Sequence, residues 1–235
     1  MSFLPETDVK RIVDFAASHG RRSFAALIPD NAYGAVVQGA FQQEVPRRGG
    51  RVIVLQKYPL DPSQLAGPVA AVAQEANRVD SIFIPDGADA VPQVVAALAA
   101  GRVNMKRLQL LGTGLWDEPR IFSSKELQGG WYAAPESTGF RNFSARYRAR
   151  FGQDPVRTAT LAYDAVALVA ALVKTQGPRP FTEQILTNSS GFAGIDGIFR
   201  FRPDGTNERG LAVLRVTPTG GQVVSPAPHS FGPGA

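Results

Sequence analysis

From Pro5 to Trp116 the sequence alternates helical apolar stripes with short, unbroken apolar runs, and few architectures accept that rhythm. Phe24–Ile28 is the clearest run: five apolar residues closed by Pro29. It suits a strand buried on both faces, as in a parallel sheet. Asp30 and Asn31 follow, both good helix N-caps, and a helical pattern starts at Ala32 and Tyr33. The same grammar repeats. Pro5–Gly20 reads as a helix with Val9, Ile12, Val13 and Ala16 inward, and the helix after Tyr33 closes at Arg47–Gly50. Arg51–Gln56 is a second strand, and Asp61–Asn77 a helix. Ser81–Ile84 is a third strand, Ala90–Ala100 a helix and Leu108–Leu111 a fourth strand. Short loops between such units predict right-handed βαβ crossovers on a parallel sheet.

In open α/β sheets ligands settle outside the carboxyl ends of the strands. Three of those ends carry polar or aromatic residues: Asn31–Tyr33, Asp86–Asp89 and Thr113–Trp116. Neighbouring parallel strands would place the three corners on one rim, which makes Asn31, Tyr33, Asp86, Gly87, Ala88, Gly114, Leu115 and Trp116 the candidate ligand-binding residues. Each has a plainer reading. Asp and Asn at helix starts serve as caps. Tyr33 could simply pack beside the strand, and Trp116 is either a stacking platform or a plug.

The rest of the chain changes character. Gln128–Ala134 reads as a strand and Pro135–Gly139 as a crossover. Phe140–Phe151 is a basic amphipathic helix whose charged face is solvated, and Thr158–Thr175 is a long apolar helix. Ile198–Phe201 and Leu211–Val216 are expected to pair as a hairpin around Pro203-Asp204-Gly205. The Pro- and Gly-rich tail from Thr217 is expected to be extended or mobile.

Composition removes several classes of chemistry. No Cys among the 235 residues excludes disulfides, thiolate metal sites and Cys nucleophiles. Only His19 and His229 are present, which speaks against a His-based triad or metal cluster, and Gly-x-Ser-x-Gly, P-loop and Gly-x-Gly-x-x-Gly signatures are missing. No catalytic residue, cofactor or metal is therefore expected, and the reading is not an enzyme. The net charge of +5 is scattered, without interleaved aromatics, so no nucleic-acid partner is expected. Residues 1–8 contain neither a basic nor an apolar signal region, and no apolar run approaches ~20 residues, the length that spans a bilayer.

Seven motifs then occur in order: Pro-Asp-Asn-Ala-Tyr-Gly (29–34), Phe-Ile-Pro-Asp-Gly-Ala-Asp (83–89), Leu-Leu-Gly-Thr-Gly-Leu-Trp (110–116), Gly-Gly-Trp-Tyr-Ala-Ala-Pro (129–135), Tyr-Arg-Ala-Arg-Phe-Gly-Gln-Asp-Pro (147–155), Ala-Tyr-Asp-Ala-Val (162–166) and Gly-Phe-Ala-Gly-Ile-Asp-Gly-Ile-Phe-Arg-Phe (191–201). Together they resemble the type I periplasmic binding proteins, in the branch of leucine/isoleucine/valine-binding-like proteins and penicillin-binding-protein activators. The resemblance implies an α/β fold with two lobes flanking a cleft: residues 3–132 as one complete lobe, 136–218 as part of a second, and 219–235 as an extended tail. It implies an extracytoplasmic, periplasmic receptor of an ABC transport system, with a small amino-acid-like or aromatic ligand in the inter-lobe cleft and an ABC permease as partner. The alternative is a scaffold that activates a cell-wall synthase, its cleft vestigial. Tyr33 would be the cleft tyrosine, Ala88 and its neighbours the second cleft loop, and Gly114–Trp116 the third. The family's opening segment has no counterpart in these residues. The helix at 158–175 would then carry uncovered apolar surface, which predicts a homodimer, a swapped assembly or poor order in isolation.

Overall fold

The structure, a computed structural model, describes residues 1–59 and 61–231. The chain divides into two units. The larger comprises Pro5–Ala134 and Val213–Ser225; the smaller comprises Met1–Leu4, Pro135–Ala212 and the described residues from Pro226 on.

The larger unit begins with α1 (Pro5–Ser18), β1 (Ser23–Pro29), α2 (Ala32–Arg47) and β2 (Arg51–Tyr58). It continues with α3 (Ala66–Glu75), β3 (Ser81–Phe83), α4 (Val91–Ala100), β4 (Gln109–Gly112), α5 (Pro119–Ser123) and β5 (Trp131–Ala134). The strand expected from Gln128 starts only at Trp131, because Gly129 has φ +84° and breaks the extended run. Strands β1 to β5 pair in parallel, within a seven-stranded sheet that two later strands, β9 (Ala212–Thr217) and β10 (Gly220–Ser225), complete in the order β10-β9-β5-β4-β3-β1-β2. The chain moves one way from β1 to β2 and the other way from β2 to β3 and β4. Right-handed crossovers therefore put α2 on one face, with α1 beside it, and α3 and α4 on the other. That explains the apolar runs: Phe24 to Ile28 are all fully buried, with Phe41 of α2 stacked on Phe83 at a centroid distance of 4.7 Å.

The direction reverses between β1 and β3, so helices leave the two strands toward opposite faces. Such a reversal opens a crevice at the strands' carboxyl ends.

The smaller unit holds α6 (Ser137–Phe151), α7 (Ala159–Thr175), α8 (Glu183–Leu186) and a three-stranded sheet of β6 (Phe192–Gly194), β7 (Gly197–Phe201) and β8 (Asn207–Arg209). Here the expected hairpin is corrected. The turn at Pro203-Asp204-Gly205 is present, but β7 pairs with Asn207–Arg209, not with Leu211–Val216. The longer run forms β9 (Ala212–Thr217) and joins the large sheet, where its Ala212, Val213, Leu214 and Val216 are buried. Part of the tail is extended and paired. Gly220–Ser225 is strand β10, antiparallel to β9. Its weak apolar content fits an edge strand, and a side chain at Gly221 would meet the Tyr132 hydroxyl at 1.9 Å, so glycine there permits the close approach. The last tail residues, 232–235, lie outside the described residues.

In the smaller unit Phe3 lies between two guanidinium groups, Arg157 at 5.0 Å and Arg209 at 4.9 Å, and these in turn face Phe140 and Phe199. Arg157 also forks onto the buried carboxylate of Asp196 at 2.8 and 3.1 Å. Cation–π contact and bidentate pairing together fix this segment.

Candidate functional site

The corners expected on one rim do lie at the ends of the adjacent strands β1, β3 and β4. Asn31 caps α2: its Oδ1 accepts the Gly34 N–H at 2.7 Å. Gly34 itself is obligatory, because a Cβ would lie 1.8 Å from the Pro29 carbonyl oxygen. One step before it, Tyr33 is half-buried and its hydroxyl meets Thr113 Oγ1 at 2.9 Å, a bond that links the β1 corner to the β4 corner. Burial pushes the Tyr33 hydroxyl further above its ordinary value, the Thr113 bond opposes this, and Asp8 and Asp86 add to it.

At the β3 corner Asp86 accepts from the Tyr58 hydroxyl at 2.6 Å and from the Gly87 N–H at 2.7 Å. Tyr58 ends β2, so this bond ties a fourth strand end to the rim. Space around Gly87 is open, whereas the Ala88 side chain is buried.

The β4 corner separates two neighbours. Leu115 is 46% exposed and faces outward; Trp116 is fully buried. Its indole N–H donates to the Ile84 carbonyl at 3.1 Å, and its ring covers Gly112, where a Cβ would approach within 2.1 Å. Of the two sequence readings of Trp116, the structure takes the plug. A ring this large at a strand end with a glycine beneath it gains more by filling the core than by waiting at the surface. Its role at the rim is to hold the corner, not to stack on a solute.

Three contributors escape a reading from sequence alone. Thr113 lies inside a corner already singled out but offers only a small hydroxyl. Tyr58 ends a strand whose corner carried no obvious motif. Asp8 looks like an ordinary acid in a helix's first turn. In the structure its Oδ2 accepts the Gly114 N–H at 2.9 Å. Burial pushes the Asp8 carboxyl up to about 7, and the Gly114 bond only partly offsets this.

The rim is thus hydroxyls, carboxylates and backbone groups on fixed corners. Among the described residues no group of three His, Cys, Asp or Glu is placed to hold a metal ion. A family model described as periplasmic binding protein matches residues 1–222. The chain belongs to the periplasmic binding protein family.

Solved structures agree on the fold. A protein from Rhodospirillum rubrum assigned to branched-chain amino acid ABC transport superposes with a TM-score of 0.80 at 22% identity, over 94% of this chain and 65% of that one. The solute-binding protein of an ABC transporter from Rhodopseudomonas palustris BisB5, in complex with 3,4-dihydroxybenzoic acid, gives 0.63 at 21% identity, over 98% and 66%. An ABC transporter substrate-binding protein from Desulfitobacterium hafniense, in complex with Leu, gives 0.66 at 16% identity, over 94% and 65%. The chain therefore spans just under two thirds of the length of these relatives. No curated protein matches it.

Proposed function

We propose that this chain is the solute-binding part of an ABC transport system, acting in the periplasm, and that it holds a small molecule on the rim of its larger unit. The observation that carries the reading is the cross-linked rim. Tyr33 reaches Thr113 and Tyr58 reaches Asp86, so four strand ends present one set of polar groups at the sheet's reversal point. Asn31 and Trp116 hold the corners; Tyr33, Asp86, Gly87, Ala88, Gly114 and Leu115 face the solute. The family is one of binding proteins, and the rim offers hydrogen bonds without a nucleophile–base pair, so the reading is capture and release and not turnover. Membership also supports a permease of the same transport system as the protein partner.

The solute is amino-acid-like or aromatic, the two classes named with the solved relatives. A thermal-shift screen of both classes tests this. A ligand that binds only the folded state raises the melting temperature as its concentration passes the dissociation constant, by about 2.7 kcal/mol of stability at a hundredfold excess. The shift should shrink in Tyr33→Phe. A hit whose shift is unchanged in that variant would move the site elsewhere.

A further inference from the structure

Helix α6 of the smaller unit carries charge that its surroundings do not cancel. Residues 137–157 hold five arginines against one acid, Asp154. Elsewhere clustered cations are neutralised: Arg47 by Glu44, Arg48 by Asp14 and Lys57 by Asp30. Here Asp154 takes Arg148 at 2.9 Å and Asp196 takes Arg157 at 2.8 Å, while Arg141 reaches the hydroxyls of Ser137 and Thr138. Arg146 and Arg150 are exposed and have no ion pair among the described residues. Four positions apart, they share one face of the helix. Charge that is scattered along the sequence is thus gathered and left uncompensated at one place.

The adjacent row of the same helix is aromatic. Tyr147 and Phe151, also four apart, have ring centroids 4.6 Å from each other, and Phe151 is 61% exposed. Tyr147 meets Phe143 at 5.9 Å, Phe143 meets Tyr163 of α7 at 5.5 Å, and the Arg146 guanidinium lies 5.8 Å from the Tyr163 ring. The arginines and the rings therefore form one continuous surface.

We propose that this face of α6 docks on an anionic phospholipid bilayer, with Arg146 and Arg150 at the lipid phosphates and Phe151 entering the interface. Charge complementarity selects the partner: two guanidinium groups without counter-ions call for an anionic surface. The exposed ring beside them gains by leaving water, the pairing that holds basic amphipathic helices in a bilayer interface. The four side chains Arg146, Tyr147, Arg150 and Phe151 offer no amide and no carboxylate to direct a folded protein partner. A bilayer asks only for positive charge and a shallow apolar foothold. The inference uses the smaller unit alone and does not depend on the rim or its solute. Combined with the transport reading, docking would keep the chain at the membrane that holds a permease.

The test is co-sedimentation of the full chain with vesicles of phosphatidylglycerol and phosphatidylcholine in equal parts, and with vesicles of phosphatidylcholine alone. Expected is binding to the anionic vesicles in about 0.1 M salt that is lost in about 1 M salt, as the screening length falls from about 10 Å to about 3 Å. Arg146→Gln with Arg150→Gln should weaken that binding about thirtyfold, the loss of two cations near a charged surface. Phe151→Ser should weaken it about tenfold. Arg51→Gln with Lys106→Gln removes the same charge from the larger unit and should leave binding unchanged. Equal loss in that distant pair would reduce the effect to net charge and overturn the inference, as would equal binding to phosphatidylcholine alone. Two other occupants are read separately. A dimer in sedimentation velocity that Phe151→Ser dissolves would give the face to a second copy, and capture by polyglutamate as tight as by vesicles would give it to an acidic chain; either overturns the bilayer. Far-UV circular dichroism checks that each variant is folded, and if Phe151→Ser is not, the arginine pair decides. None of these outcomes moves the solute-induced melting shifts that test the rim.

Discussion

The two units are built from similar helix lengths yet differ in how much they bury. In the larger unit the sheet is covered on both faces, and Phe24, Phe41, Phe83, Ile82, Ile84 and Trp116 are all fully enclosed. Among the described residues of the smaller unit the buried apolar side chains are Phe143, Leu172, Phe199, Leu211 and Ala212. Helix α7 is rich in apolar residues, but Tyr163, Val166, Val169 and Val173 are 46–71% exposed along one side. Spacings of three and four put these four on a single stripe. A parallel sheet lets each helix find a covered face; a three-stranded antiparallel sheet leaves α7 with a face too many. The smaller unit holds itself together by other means, through the Phe140–Arg157–Phe3–Arg209–Phe199 stack and the Arg157–Asp196 pair.

Three substitutions sharpen that contrast. Both tryptophans lie in the larger unit, so fluorescence-detected urea unfolding reports on it. Phe41→Ala should cost about 3–5 kcal/mol by that signal, the usual range for truncating an enclosed aromatic ring. Tyr33→Phe should cost about 1–2 kcal/mol, because Thr113 is fully buried and would lose its partner. Val166→Asp should leave the tryptophan-reported midpoint within about 0.5 kcal/mol, since this side chain already stands in water, and should lower the fluorescence of a dye that binds apolar surface. A Val166→Asp loss as large as that of Phe41→Ala would erase the distinction between the units.

Legibility in the sequence divides along the same line. The βαβ rhythm from Pro5 to Trp116 could be read because each strand is buried on both faces and leaves an unbroken apolar run. The corners could be read because strand order in such sheets is constrained. What could not be read is who bonds to whom: Tyr33 to Thr113 and Asp8 to Gly114 join residues 80 and 106 positions apart. No local pattern encodes such a pairing. Trp116 carried two readings until the position of Gly112 decided between them. The hairpin error has a similar cause. Asn207–Arg209 is polar and short, so the apolar 211–216 run looked the better partner for β7, yet that run completes the larger core and the polar one does not.

The bonds between corners have a mechanical consequence. A loop that hangs alone can fold around whatever arrives; a ring of corners braced against each other cannot yield one member at a time. On this side an incoming molecule meets a surface already set, and little ordering entropy is left to lose on docking. Backbone shifts at residues 31–34, 86–88 and 113–116 between empty and occupied states should then stay below about 1 Å.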